Sequence, residues 1–181
     1  MVTKIGINGF GRIGRQILRV IMEQYQSDLE VVSINDGGSI ETNAHLFKYD
    51  STYGTYNGTV THNENILEID GHKITKTSDR NPMNLDWSKY GVDIVVESTG
   101  NLTDRESAST HLNSGAKTVL ITAPASNADL TMVLGVNENE YDPKKHKILS
   151  NASCTTNCAA PLVKVLHDNF SINQGLMTTV H

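Results

Sequence analysis

The chain is short of cysteine. Its 181 residues hold two, Cys154 and Cys158, too few for a disulfide framework. Four positions apart, they would share a helix face, and that spacing does not favour a bridge without backbone distortion. Two cysteines also make a poor zinc site, which normally takes four ligands, so no metal is expected. A reducing, cytoplasmic setting is the simplest reading. Basic residues are outnumbered, 15 Lys and Arg against 20 Asp and Glu, for a net charge of −5. That balance gives no reason to expect nucleic acid or a membrane as partner, since either would call for a basic surface. No apolar run approaches the roughly 18 residues of a membrane span. The N-terminus runs straight into strand-like residues, with no signal peptide in view. What is present, 38% apolar and 19% charged residues, suits a globular protein with a buried core.

The first fifty residues carry the clearest pattern. Lys4-Ile5-Gly6-Ile7-Asn8 reads as a strand. Gly9-Phe10-Gly11-Arg12-Ile13-Gly14 follows, then a helical stretch with Ile13, Ile17, Val20 and Ile21 expected on one face. Glu30 to Asn35 is a second strand, ending in Asp36, 22 residues after Gly14. Strand, G-x-G-x-x-G, helix, strand, acid is the dinucleotide-binding arrangement. Gly9 would allow the tight turn, Gly11 the approach of a pyrophosphate, and Gly14 close helix–strand packing. The helix N-terminus around Arg12 and Ile13 would hold the phosphates, and Asp36 would accept hydrogen bonds from ribose hydroxyls.

Beyond Gly37-Gly38, Thr42 to Tyr49 reads as a short helix and Tyr49 to Gly58 as loop. Thr59–His62, Ile66–Ile69 and His72–Thr77 alternate like strands, with Asp70-Gly71 as a hairpin turn; together they suggest a small antiparallel insertion. Arg80, in the loop Ser78 to Pro82, could reach the adenine end of a dinucleotide or be a solvated surface arginine. Val92 to Glu97 and Lys117 to Thr122 read as buried parallel strands. Between them, Thr103-x-x-Glu106 has capping-box spacing for a helix. Ligands of open α/β sheets bind beyond the carboxyl ends of strands. Ser98-Thr99-Gly100 and Thr122-Ala123-Pro124 are therefore expected to line the crevice. Thr131–Val136 and Lys147–Leu149 would close the sheet.

Ser150 to Pro161 is the second focus. A small polar run, Ser153-Cys154-Thr155-Thr156-Asn157, precedes a helix-like pattern of Cys158, Leu162, Val165 and Leu166. Cys154 thus falls near a helix N-terminus, where backbone N–H groups and the dipole favour a thiolate, the nucleophilic form. Pro161 predicts a kink or altered turn. Leu176 to Val180 reads as a strand leading into His181.

With these motifs in view, the chain resembles the N-terminal half of the glyceraldehyde-3-phosphate dehydrogenase family over essentially its whole length. The carriers are Ile5 to Arg15, Lys48-Tyr49-Asp50-Ser51, Glu97-Ser98-Thr99-Gly100, Ser150 to Cys158, and Met177-Thr178-Thr179-Val180-His181. The resemblance implies a Rossmann-type α/β domain, mostly parallel with helices on both faces, over residues 1–150. It implies the beginning of an α+β catalytic domain over 151–181, with the chain a fragment of a longer protein and the substrate-phosphate residues lying beyond it. Cys154 would be the nucleophile and His181 its base, with Ser153 and Thr155 touching substrate. Arg12, Ile13, Asp36, Arg80 and Thr122 would contact NAD. Cys158 would be the non-catalytic cysteine, read as a small buried apolar residue.

The implied reaction is glycolytic: glyceraldehyde 3-phosphate, NAD and inorganic phosphate give 1,3-bisphosphoglycerate through a Cys154 hemithioacetal and thioester. The implied assembly is a homotetramer. Asp36-Gly37-Gly38 and Asp79-Arg80-Asn81-Pro82 resemble the plant and cyanobacterial branch, some members of which accept NADP. Asp36 argues for NAD, because a carboxylate repels a 2′-phosphate; Arg80 would partly offset that, leaving weak NADP use. Two other readings stay open: a relative acting on erythrose 4-phosphate, and a module that binds NAD without catalysis.

Overall fold

The computed structural model describes residues 2–180. His181, the expected base, lies outside the described residues. The chain opens with β1 (Thr3–Asn8), α1 (Arg12–Gln24), β2 (Leu29–Asn35) and α2 (Ile40–Lys48). Five short strands follow: β3 (Tyr49–Asp50), β4 (Gly54–Thr55), β5 (Val60–His62), β6 (Ile66–Ile69) and β7 (His72–Thr77). Then come β8 (Ile94–Glu97), α3 (Arg105–Asn113), β9 (Thr118–Ile121), β10 (Leu130–Thr131), β11 (Ile148–Ser150) and α4 (Cys154–Phe170).

Nine strands form one sheet in the order β10-β11-β9-β8-β1-β2-β7-β6-β5. Pairing is parallel from β10 through β7 and antiparallel at β7–β6 and β6–β5. The strand order reverses at β1, whose neighbours β2 and β8 lie on opposite sides. Such a switch point opens a crevice at the carboxyl ends of the strands.

Alternation along the strands builds a core on each face. On one face Ile5, Ile7 and Val96 pack with Leu18 and Ile21 of α1 and with Ala44 and Phe47 of α2. On the other, Val95 packs with Trp87 and Val92, while Val119, Ile121 and Ile148 pack with Ala108 of α3. Helices therefore cover both faces, as expected. Gly6 sits over the Trp87 ring; a β-carbon there would come within 2.8 Å of it.

Several local expectations change. The buried face of α1 is Gly14, Leu18, Ile21 and Met22, while Ile13 and Val20 point outward. Close packing at Gly14 turns the helix so that the stripe starts there. The three-stranded segment is antiparallel within itself, as expected, and it also extends the main sheet, because β7 pairs with β2. Tyr49–Gly58 is not all loop, because β3 and β4 form a small hairpin. Helix α3 is capped by Asp104, whose carboxylate accepts from the Ser107 amide at 2.9 Å. Thr103 is instead held through its carbonyl by the Ser126 amide. Of Thr131–Val136 only Thr131 is strand; Gly135, at φ +79°, and the Asn137 side chain, which accepts from the Val133 amide, turn the chain.

The largest changes are in the last thirty residues. Helix α4 continues through Pro161 to Phe170 but buries no residue. Cys158 is exposed, against the expectation of burial, because no other element among the described residues buries that face. Leu176 to Val180 forms no strand among the described residues; Leu176 and Val180 are fully exposed there, without the apolar burial that holds a strand in a sheet. No helix among the described residues is long and apolar enough to cross a membrane.

Candidate active site

Register aligns the carboxyl ends of seven strands. Thr131, Ser150, Ile121, Glu97, Asn8, Asn35 and Thr77 are paired one to the next across the sheet. The described candidate residues follow this row. Gly9 comes directly after Asn8, Asp36 after Asn35, and Thr122 after Ile121. Thr99, Arg80 and Cys154 lie a few residues beyond Glu97, Thr77 and Ser150. One physical rule, that loops leave a parallel sheet at a common end, brings distant parts of the chain to one edge.

At the switch point lies a crevice of about 350 Å³. Its walls include Gly9, Asp36, Arg80 and Thr99, as expected, together with Asn8, Asn35, Asp79 and Asn101. Gly11, Arg12, Ile13 and Thr122 do not line it. Gly9 is at φ +91°, and a β-carbon there would lie 2.7 Å from the Thr99 amide nitrogen. One at Gly14 would strike the carbonyl oxygen of Gly9, whereas Gly11 has nothing within 4 Å. Gly11 is also the N-cap of α1, with no side-chain cap and no acid in the first turn. That helix end suits an anion, and the open space at Gly11 lets one approach the backbone.

Asp36 is half-buried and fixed. Its carboxylate accepts from the Phe10 amide at 2.9 Å and the Gly38 amide at 2.8 Å. Each oxygen keeps further acceptor capacity, so a diol can still be received there. Arg80 is exposed at the rim. Arg12 turns its guanidinium away from the crevice to Asp50, at 3.0 Å, so only its backbone serves the helix end. Asp50 also accepts from the Thr52 and Tyr53 amides and from Gln16. The two backbone hydrogen bonds, ahead of the Arg12 guanidinium, hold its pKa down to about 2. These groups fit a dinucleotide: amides for phosphate, a carboxylate for ribose, and a crevice between them.

Cys154 is the first residue of α4 and is exposed. Ser153 is its N-cap; the hydroxyl accepts from the Thr156 amide at 2.9 Å. The approach is built tightly. Ala152 is buried at φ +58°, a left-handed conformation that alanine rarely adopts. The Ser150 hydroxyl donates to the Ala123 carbonyl at 2.8 Å and accepts from the Ala152 amide at 3.1 Å. The Asn157 side chain reaches back to the carbonyls of Asn151 and Ser153, at 2.8 and 2.9 Å. Thr155 is half-buried beside the thiol in the first turn. Among the described residues no cluster of three or more His, Cys, Asp or Glu side chains is placed to hold a metal ion.

Sequence reasoning missed Asn8 and Asn35. Both are polar residues closing apolar strands, at 4% and 6% exposure. A buried amide at the carboxyl end of a strand was the available signal.

Comparison with known proteins agrees with this geometry. Residues 3–105 match the family model described as the NAD binding domain of glyceraldehyde 3-phosphate dehydrogenase. Residues 153–181 match the model of that enzyme's C-terminal domain. The glyceraldehyde-3-phosphate dehydrogenase of Geobacillus stearothermophilus is 54% identical over the whole chain, which covers 53% of that protein. Glyceraldehyde-3-phosphate dehydrogenase 2 of Streptomyces avermitilis is 53% identical over the whole chain, covering 54% of it. A protein of the same name from Trichormus variabilis is 50% identical over 99% of the chain, again covering 54% of its length. The chain spans about half the length of the curated relatives it matches. It belongs to the glyceraldehyde-3-phosphate dehydrogenase family.

Proposed function

We propose that this chain supplies the cofactor-binding half and the nucleophile of an NAD-dependent, phosphorylating glyceraldehyde-3-phosphate dehydrogenase. In this reading residues 1–150 bind the dinucleotide and 151–181 open the catalytic domain. The observation that supports it most is the position of Cys154. It begins α4 just past β11, on the same end of the sheet as a crevice suited to a dinucleotide.

Cys154 thiolate attacks the aldehyde carbon, and the oxygen takes up a proton to give a hemithioacetal. His181, as base, removes that hydroxyl proton while the carbon's hydrogen departs with its electron pair. NAD, when bound, accepts that hydride. The thioester left on Cys154 retains the oxidation energy. Inorganic phosphate attacks its carbonyl, releasing acyl phosphate and the thiolate. Ser153 and Thr155 flank the reacting carbon. Gly9, Gly11, Arg12 and Ile13 offer backbone to the phosphates; Asp36 takes a ribose, Arg80 the adenine side and Thr99 the crevice wall, while Thr122 meets the cofactor outside that crevice. The setting is cytoplasmic, and the complete enzyme is a homotetramer.

The test is glyceraldehyde 3-phosphate oxidation by the full-length protein. NADH formation is expected to require phosphate and to vanish in Cys154→Ser. Turnover indifferent to phosphate, or equal turnover of erythrose 4-phosphate, would overturn the reaction proposed. NADP should be used weakly, since Asp36 meets its 2′-phosphate; equal turnover of both cofactors would contradict that assignment.

A further inference from the structure

Beneath the crevice, the strand ends are joined by side chains as well as by register. Glu97 closes β8 with 1% exposure. One carboxylate oxygen accepts from the Thr99 amide at 2.8 Å and from the Thr99 hydroxyl. The other accepts from the Asn8 side chain at 2.6 Å and pairs with His111 Nε2 at 2.9 Å. The Asn8 side-chain oxygen, Oδ1, accepts from Asn35 Nδ2 at 2.8 Å. Asn35 in turn clasps Asp79 at both backbone groups, 2.9 Å each, and its oxygen accepts from the Thr77 hydroxyl at 3.0 Å.

The other end of the row is fixed by Trp87. Its indole N–H donates to His111 Nδ1 at 3.0 Å. Indole nitrogen can only donate, so Nδ1 must accept and the imidazole proton sits on Nε2, facing Glu97. The Glu97 carboxylate can only accept, so Asn8 turns its Nδ2 to Glu97 and leaves its Oδ1 for Asn35. Trp87 and His111 are 1% and 0% exposed, so water cannot substitute for either.

We infer that the row Trp87–His111–Glu97–Asn8–Asn35 is a positioning network that sets the geometry of the dinucleotide crevice. It rests on the cofactor reading above. Glu97 fixes the Thr99 wall, and Asn35 fixes the Asp79–Arg80 wall. Asn8 couples the two across the switch point. The lower members touch no ligand; they act through the loops they hold. Four donors converge on the Glu97 carboxylate. Replacing it with an amide puts N–H against N–H somewhere in the row, and in a water-free site the nearest movable group is the Thr99 loop.

The test is calorimetric titration of the chain with NAD, alongside the proton–nitrogen spectrum of its one tryptophan. Glu97→Gln is expected to weaken NAD binding by about tenfold or more and to move the Trp87 indole N–H resonance. Val119→Ala, a buried core change outside the row, should lower the unfolding temperature and leave the affinity within about twofold, which separates positioning from general loss of stability. Affinity in Glu97→Gln within about twofold of the parent, or an unmoved indole resonance, would overturn the inference. If Glu97→Gln does not fold, Trp87→Phe carries the test: weakening of about threefold or more is expected, and parental affinity overturns it. Absence of NAD binding by the parent chain is a separate result, which overturns the cofactor reading and this inference with it.

Discussion

The two parts of this chain obey the same chemistry with opposite outcomes. Up to Ser153, apolar side chains alternate into cores on both faces of one sheet, and polar side chains at the strand ends are paired across it. From Cys154 to Val180 the apolar content is no lower, yet Leu162, Val165 and Phe170 are 63%, 61% and 78% exposed. Helix α4 has a capped start and an ion pair, Lys164–Asp168 at 3.1 Å, but buries no residue against the other described elements. Amphipathic pattern specifies a face; only a second element gives that face burial, and most helix stability comes from such packing.

Hydrogen exchange should show the largest difference between the two. Amides of β1 and β8 are expected to exchange at least about a thousandfold more slowly than those in the second half of α4. Similar protection in both would erase the contrast. Next, Leu18→Ala should cost about 2–5 kcal/mol in urea unfolding, because Leu18 is fully buried. Leu162→Ala should cost under about 0.5 kcal/mol; equal losses would mean that α4 packs after all. Ser153→Ala removes the N-cap acceptor of α4, and about 1 kcal/mol of local helix stability should go with it. Faster exchange in its first turn, with the global midpoint unmoved, is the expected signature.

The smallest effect is in acid. Asp50 ties the β3–β4 hairpin to α1, and its pKa is depressed from an ordinary 3.8 to about 2. A depressed carboxylate contributes stability that is present above its unfolded value and lost as pH falls through the folded one. The difference in urea midpoint between the parent and Asp50→Asn should therefore hold near neutrality and shrink from about pH 4 to about pH 2. A difference that stays constant across that window would show that Asp50 acts through shape rather than charge.

Much of the first part was legible. The spacing from Gly9 to Asp36 fixed β1, α1 and β2, since Gly9 and Gly14 answer steric demands seen here and Gly11 leaves the helix end open. Gly9, Asp36, Arg80 and Thr99 do meet in one crevice. The inward face of α1 was misread, because periodicity marks apolar positions without saying that Gly14 must face inward. Asp104 displaced Thr103 as a cap because both are acceptors one residue apart, and the contact of Thr103 with Ser126 is non-local. The pairing of β7 with β2 is non-local too, and no short window of sequence carries it. In the second part the same patterns were read, but burial of Cys158 and a strand at Leu176–Val180 both require neighbours that the described chain does not place there.

The central position of β1 has a consequence for how the fold is reached. A strand made before both of its neighbours belongs in the middle of the sheet. After β2 pairs with it, its other side stays an open edge until β8 is made; the Asn8–Glu97 contact spans 89 positions. For that interval Ile5 and Ile7 present an unpaired apolar strand, a template for wrong partners. Closing so distant a pair is also slow. The edge of β1 that waits longest for its partner is thus the edge that β8 closes just before Thr99 completes the crevice.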